Sequence, residues 1–134
     1  MYVTITRGPY HPTTVYGPID DRHPPAAVGP AQSAITVPLH AAGAVTDISS
    51  VLPRISRISR RTAAAIAHAE PAPETAGPVA LLLVDATTRL VIAIGPFATT
   101  TLSHTWRRQR TDLTAGISCV PLALDHPTGQ NPVR

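Results

Sequence analysis

Val79-Ala-Leu-Leu-Leu-Val-Asp85 and Arg89-Leu-Val-Ile-Ala-Ile-Gly95 are two aliphatic runs separated by Ala86-Thr87-Thr88. Each is short for a helix and rich in Leu, Ile and Val, which predicts an antiparallel β-hairpin with a three-residue loop. Apolar residues fill consecutive rather than alternate positions, so both faces of the hairpin are expected to be partly covered. Gly95-Pro96 ends the second run. Thr99 or Thr100 can then cap a helix running to about Asp112, with Leu102, Trp106, Gln109 and Leu113 on its inner stripe, and Ala115-Gly116 stops it. Residues 117–124 read as a last strand, which Pro121 marks as an edge.

Upstream of the hairpin, Val51, Leu52, Ile55, Ile58, Thr62, Ala65, Ile66 and Ala69 fall on one stripe at about 100° per residue. A helix is expected from near Ser50 to Ala69, because Pro53 is tolerable only in a first turn and Pro71 and Pro73 forbid continuation. Before it, Ile35-Thr-Val-Pro-Leu-His40 alternates like a strand. The order strand, helix, strand, strand, helix, strand predicts an α+β domain of βαββαβ, ferredoxin-like type over residues 34–124. Residues 1–33 hold Pro9, Pro12, Pro18, Pro24, Pro25 and Pro30 with Gly8, Gly17 and Gly29, and only residues 2–6 alternate well enough for a short strand. The rest of that segment is expected to be an extended arm, and residues 125–134 a flexible tail.

Residues 90–124 resemble the second half of a SPOR domain: Leu90-Val-Ile-Ala-Ile-Gly95-Pro96-Phe97, a helix, then Ala115-Gly116-Ile117 leading into a strand. The resemblance covers about a quarter of the chain. It implies the same βαββαβ order and, as that family's activity, binding to the glycan strands of peptidoglycan.

The chain has 134 residues and a formal net charge of +3. All eleven basic residues are Arg, and Asn occurs only as Asn131, which fits translation from a GC-rich genome. The first residues lack a basic region leading into an apolar one, and the most apolar stretch, residues 79–94, is too short to span a bilayer. A single cysteine excludes an internal disulfide, so a cytoplasmic protein without membrane association is expected.

Chemistry-bearing constellations are few. Arg54, Arg57, Arg60 and Arg61 place four positive charges in eight residues, with no acid between Asp47 and Glu70. Such a stripe can contact phosphates or simply form a solvated helix face that covers the core edge. Arg107, Arg108 and Arg110 surround Trp106, which either stacks on a ligand or, in register with Leu102 and Leu113, serves as the core aromatic of its helix. No two of the six histidines are closer than 12 positions and Cys119 has no neighbouring thiol, so no metal site is expected. Cys119 sits among apolar strand residues, as a structural cysteine does. The five Gly-Pro pairs read as turns, and the absence of Lys excludes a P-loop. No cofactor is implied. The expected function is a non-catalytic binding or adaptor module acting through protein–protein contacts or self-association. The alternatives are a nucleic-acid-associated protein using the seven arginines just named, and a SPOR-like glycan binder.

Overall fold

A computed structural model describes residues 2–8, 11–19, 33–45, 58–85, 89–110 and 116–125. The chain runs β1 (Tyr2–Gly8), β2 (His11–Ile19), β3 (Ser33–His40), α1 (Arg60–Ala67), β4 (Val79–Asp85), β5 (Val91–Phe97), α2 (Thr100–Arg108) and β6 (Ile117–Asp125). Single 3-10 turns lie at Ala42–Ala44 and Glu74–Ala76.

The six strands close into a barrel in the order β1-β2-β6-β4-β5-β3. This corrects the expected open α+β, ferredoxin-like βαββαβ sheet. The segment expected as a Pro-rich arm supplies two barrel strands, β1 and β2, paired antiparallel. β4 and β5 pair antiparallel as the two aliphatic runs predict, with Val84 opposite Val91.

The prolines fit within strands because the sheet is closed and locally irregular. Gly17-Pro18 and Gly95-Pro96 are not turns. Both are cis, both lie inside strands, and each coincides with a register shift, between Tyr2 and Thr4 and between Val79 and Leu81. A bulge takes a residue out of the ladder, so the missing N–H costs no strand hydrogen bond there. Pro121 sits in β6 between two neighbours, but the parallel β2–β6 seam pairs only Val15 with Leu124 and Tyr16 with Asp125. At Pro121 the segment 69–73 replaces β2, and Ala72 N–H donates to the Pro121 carbonyl at 2.8 Å. Pro38 likewise precedes the short parallel β3–β5 seam at Leu39–Ala93 and His40–Ile94.

The registers reveal an internal two-fold repeat. β1 lies between β2 and β3 as β4 lies between β5 and β6. Tyr2 stands to Ile19 as Val79 to Phe97, and Thr4 to Tyr16 as Leu81 to Ile94. Tyr2 stands to Pro38 as Val79 to Ala123, and Val15 to Leu124 as Ala93 to Leu39.

Alternate residues of all six strands form one apolar cluster, including Val3, Val15, Val37, Leu82, Ala93 and Leu122. In a closed barrel this is the interior. Ile58, Ala63 and Ile66 join it, so α1 packs into the barrel rather than on a sheet face. α1 starts at Arg60: Ser59 is extended, and its hydroxyl caps the helix by accepting from Thr62 N–H at 3.1 Å. The expected stretch 50–57 lies outside the described residues. A second cluster joins Val79, Leu81, Leu83, Ile92, Ile94 and Phe97 on the outer face of β4 and β5, where Trp106 of α2 packs. β4 and β5 are therefore apolar on both sides. β1, at the equivalent place in the other half, presents Thr4 and Thr6 at the positions of Leu81 and Leu83, and Thr4 Oγ1 hydrogen-bonds Thr36 Oγ1 at 3.3 Å. Among the described residues, no helix is long and apolar enough to cross a membrane.

Candidate functional site

α2 is fixed at both ends. Thr99 Oγ1 accepts from Leu102 N–H at 3.2 Å, and Glu74 Oε2 accepts from the Thr101 N–H at 2.8 Å and its hydroxyl at 2.7 Å. A carboxylate over the free N–H groups of a first turn also complements the helix dipole. The Thr101 hydroxyl is the main reason that the Glu74 carboxyl is held below its ordinary pKa of 4.5, with smaller help from the Thr101 N–H, Thr99 and His104. The Thr100 hydroxyl is shared between the Ala72 and Pro73 carbonyls at 3.1 and 3.2 Å.

The inner face of α2 is polar and small. Thr100 and Ser103 are buried, and Ser103 Oγ donates to the Thr100 carbonyl at 2.7 Å. These compact, hydrogen-bonded residues let the helix sit close to β4 and β5. The expected inner stripe is corrected accordingly: Leu102 is 49% exposed and Gln109 is exposed, while Leu113 lies outside the described residues. Trp106 is half-buried at the edge of the interface. Its ring tilts at 55° to Phe97 with centroids 6.2 Å apart, and its Nε1–H donates to the Ala42 carbonyl at 3.3 Å.

The seven arginines do not form one surface. Arg54 and Arg57 lie outside the described residues. Arg60 and Arg61 are exposed in the first turn of α1, the helix that packs into the barrel interior. Arg110 is engaged internally: Nη1 donates to the Val45 carbonyl at 3.0 Å, and its guanidinium lies 5.3 Å from the Trp106 ring centroid. Trp106 and Arg110 together hold the chain where it leaves β3. Arg107 and Arg108 remain exposed on α2, on the outer side of the barrel. With Thr101 and His104 they frame an open hollow of about 330 Å³. His104 and Arg108 are one turn apart on the same face. Neither Arg107 nor Arg108 has an ion-pair partner among the described residues. The basic cluster was legible in the sequence, whereas the contributions of Thr101 and His104 depend on which way α2 is rotated.

Cys119, on β6, is half-buried beside Arg107. Burial pushes its thiol up and Arg107 pulls it only partly back, so it stays protonated near neutral pH. No group of three or more metal-ligating side chains occurs among the described residues. Comparison with protein-family models finds no match, and comparisons with curated proteins and with solved structures find none either.

Proposed function

We propose that this protein is a non-catalytic binding module that holds an acidic segment of another protein on the exposed face of α2. The reading is supported chiefly by Arg107 and Arg108, two exposed cations with no ion-pair partner among the described residues, which share a hollow with His104 and Thr101. A helix capped at Thr99 and packed through Ser103 and Trp106 presents them with little ordering left to do on binding. Leu102 adds apolar surface on the same helix, useful to a protein partner and of no use to a phosphate backbone.

A nucleic-acid partner is less well supported. Duplex binding neutralises several phosphates along a track. α2 has nine residues, a length of about 13–14 Å at the usual rise. Arg110 is engaged internally, and Arg60 and Arg61 belong to a different face.

The test follows Trp106 fluorescence while the full chain is titrated with a short peptide of alternating Glu and Leu, its Gln–Leu counterpart, and a mixed-sequence DNA duplex. The Glu–Leu peptide should bind at low salt. The double change Arg107→Gln/Arg108→Gln should weaken it roughly 2- to 30-fold, from about 0.2–1 kcal/mol per exposed pair. Leu102→Asn should weaken it further. Equal binding of the Gln–Leu peptide, or no binding of either, would overturn the proposal. Duplex binding with log K falling by about 0.9 per neutralised phosphate for each decade of salt would assign the site to nucleic acid instead.

A further inference from the structure

The internal two-fold provides a comparison between two seams of one barrel. At the β3–β5 seam, Val91 and Ile92 are 1% and 0% exposed. The equivalent residues at the β2–β6 seam are Thr13 and Thr14, both half-buried. There the strands part below their two paired residues, and a cleft of about 610 Å³ opens between β2, the segment 69–73 and β6. One seam is filled with aliphatic side chains. Its counterpart is open and lined with hydroxyls.

The volume lies in the usual range of small-ligand sites, about 300–1,000 Å³. Pro71, Pro73 and Leu122 give the cleft apolar walls, and the proline rings stiffen one side. Among the described residues, Glu70 and Asp125 are the only charged ones lining it, and no side-chain partner of either occurs there. The cleft thus brings together two acidic side chains, threonine side chains and an apolar wall, and no cation lines it among the described residues.

We infer that the β2–β6 cleft is a binding site for an organic cation, a guanidinium or alkylammonium group carried on an apolar stem. Glu70 and Asp125 accept hydrogen bonds from the cationic head, Thr13 adds a neutral polar contact, and the stem lies against Pro71, Pro73 and Leu122. The site is separate from the hollow on α2, so it stands or falls independently of the function proposed above. Guanidinium is the better fit of the two heads, because its planar fork of donors can bond two carboxylates at once.

The experiment is a titration of the full, isotope-labelled chain followed by amide NMR. The probes are agmatine, which carries a guanidinium and an ammonium on a four-carbon stem, the uncharged N-butylurea with a stem of the same length, and the capped peptide Pro-Arg-Pro. Agmatine or the peptide should shift the Thr13, Thr14, Ala123 and Asp125 amides, and N-butylurea should not. The double change Glu70→Gln/Asp125→Asn should weaken binding roughly five- to tenfold. Both carboxylates are exposed, so this variant should fold, and an unchanged amide spectrum without ligand verifies it. A response to agmatine identifies a free small molecule as sufficient, while a response to the peptide alone identifies a chain-borne arginine. Absence of shifts with both at about 10 mM, where even a millimolar site is mostly filled, would overturn the inference. So would equal binding by N-butylurea or by the double variant.

Discussion

Three glycines form a graded test of the barrel. Gly43 has ordinary backbone angles, and a Cβ added there meets nothing within 4 Å. Gly77 also has open space but adopts φ +84°. Gly95 combines φ +139° with close approach: a Cβ would lie 3.1 Å from Phe97 N and 3.2 Å from the Val79 carbonyl oxygen. Gly43→Ala should be neutral or stabilise by about 0.4–1 kcal/mol, because alanine loses less chain entropy on folding. Gly77→Ala carries only the backbone penalty, about 1–2 kcal/mol net. Gly95→Ala carries that penalty plus a clash with two backbone atoms of the β4–β5 ladder, which cannot yield without moving the bulge. A further cost of about 1–3 kcal/mol brings it to roughly 2–5 kcal/mol, a large part of the 5–15 kcal/mol typical of a domain. Gly17, at the equivalent bulge with φ +142°, should show at least the backbone penalty. Urea unfolding followed by far-UV circular dichroism gives each difference from the shift in midpoint at constant slope. If Gly95→Ala costs no more than Gly77→Ala, the backbone does not pass Val79 as described, and the paired bulges that define the repeat are wrong.

Ile66→Ala should cost about 2–5 kcal/mol by urea unfolding, because Ile66 is fully buried where α1 enters the barrel; a loss under about 1 kcal/mol would mean that α1 does not fill the interior. Trp106→Phe keeps the ring against Phe97 but removes the hydrogen bond to Ala42, so thermal melts should show a loss of about 0.5–1.5 kcal/mol. Glu74 has a folded pKa below its ordinary 4.5, so its stabilisation is complete above that pH and is lost as pH falls through the folded value. Stability measured against pH should therefore fall on this acidic limb, and Glu74→Gln should flatten the limb and lower the plateau above it. An unchanged limb would show that Glu74 does not tether α2.

Local features were legible wherever local chemistry decides. The β4–β5 hairpin follows from two aliphatic runs of strand length. The start of α2 follows from Thr99, whose hydroxyl can reach Leu102 N–H only if a helix begins there. Less legible was the face that α2 turns inward. Hydrophobicity favours Leu102, but Thr100 and Ser103 go inside because Ala72, Pro73 and the helix backbone satisfy their hydroxyls. That satisfaction depends on a segment 27 residues or more away. For the candidate site, the arginines could be found as a cluster, but their division into an exposed pair, an internal clamp at Arg110 and a separate pair on α1 could not.

Composition and periodicity by themselves determined that this chain has aliphatic strands at 79–85 and 91–97, helical segments within 60–67 and 100–108, and a surplus of arginine. Tertiary structure alone decided that the strands close. Closure rests on two parallel seams, Val15–Leu124 and Leu39–Ala93, that join residues far apart in sequence, and each is only two pairs long. So short a pairing leaves no periodic trace. Closure also removes the sheet edges to which Pro38 and Pro121 would otherwise be confined, and it turns Gly17-Pro18 and Gly95-Pro96 from turns into matched bulges. The same prolines that read locally as breaks are accommodated because, at each, the neighbouring backbone is a bulge or a short seam that asks for no N–H.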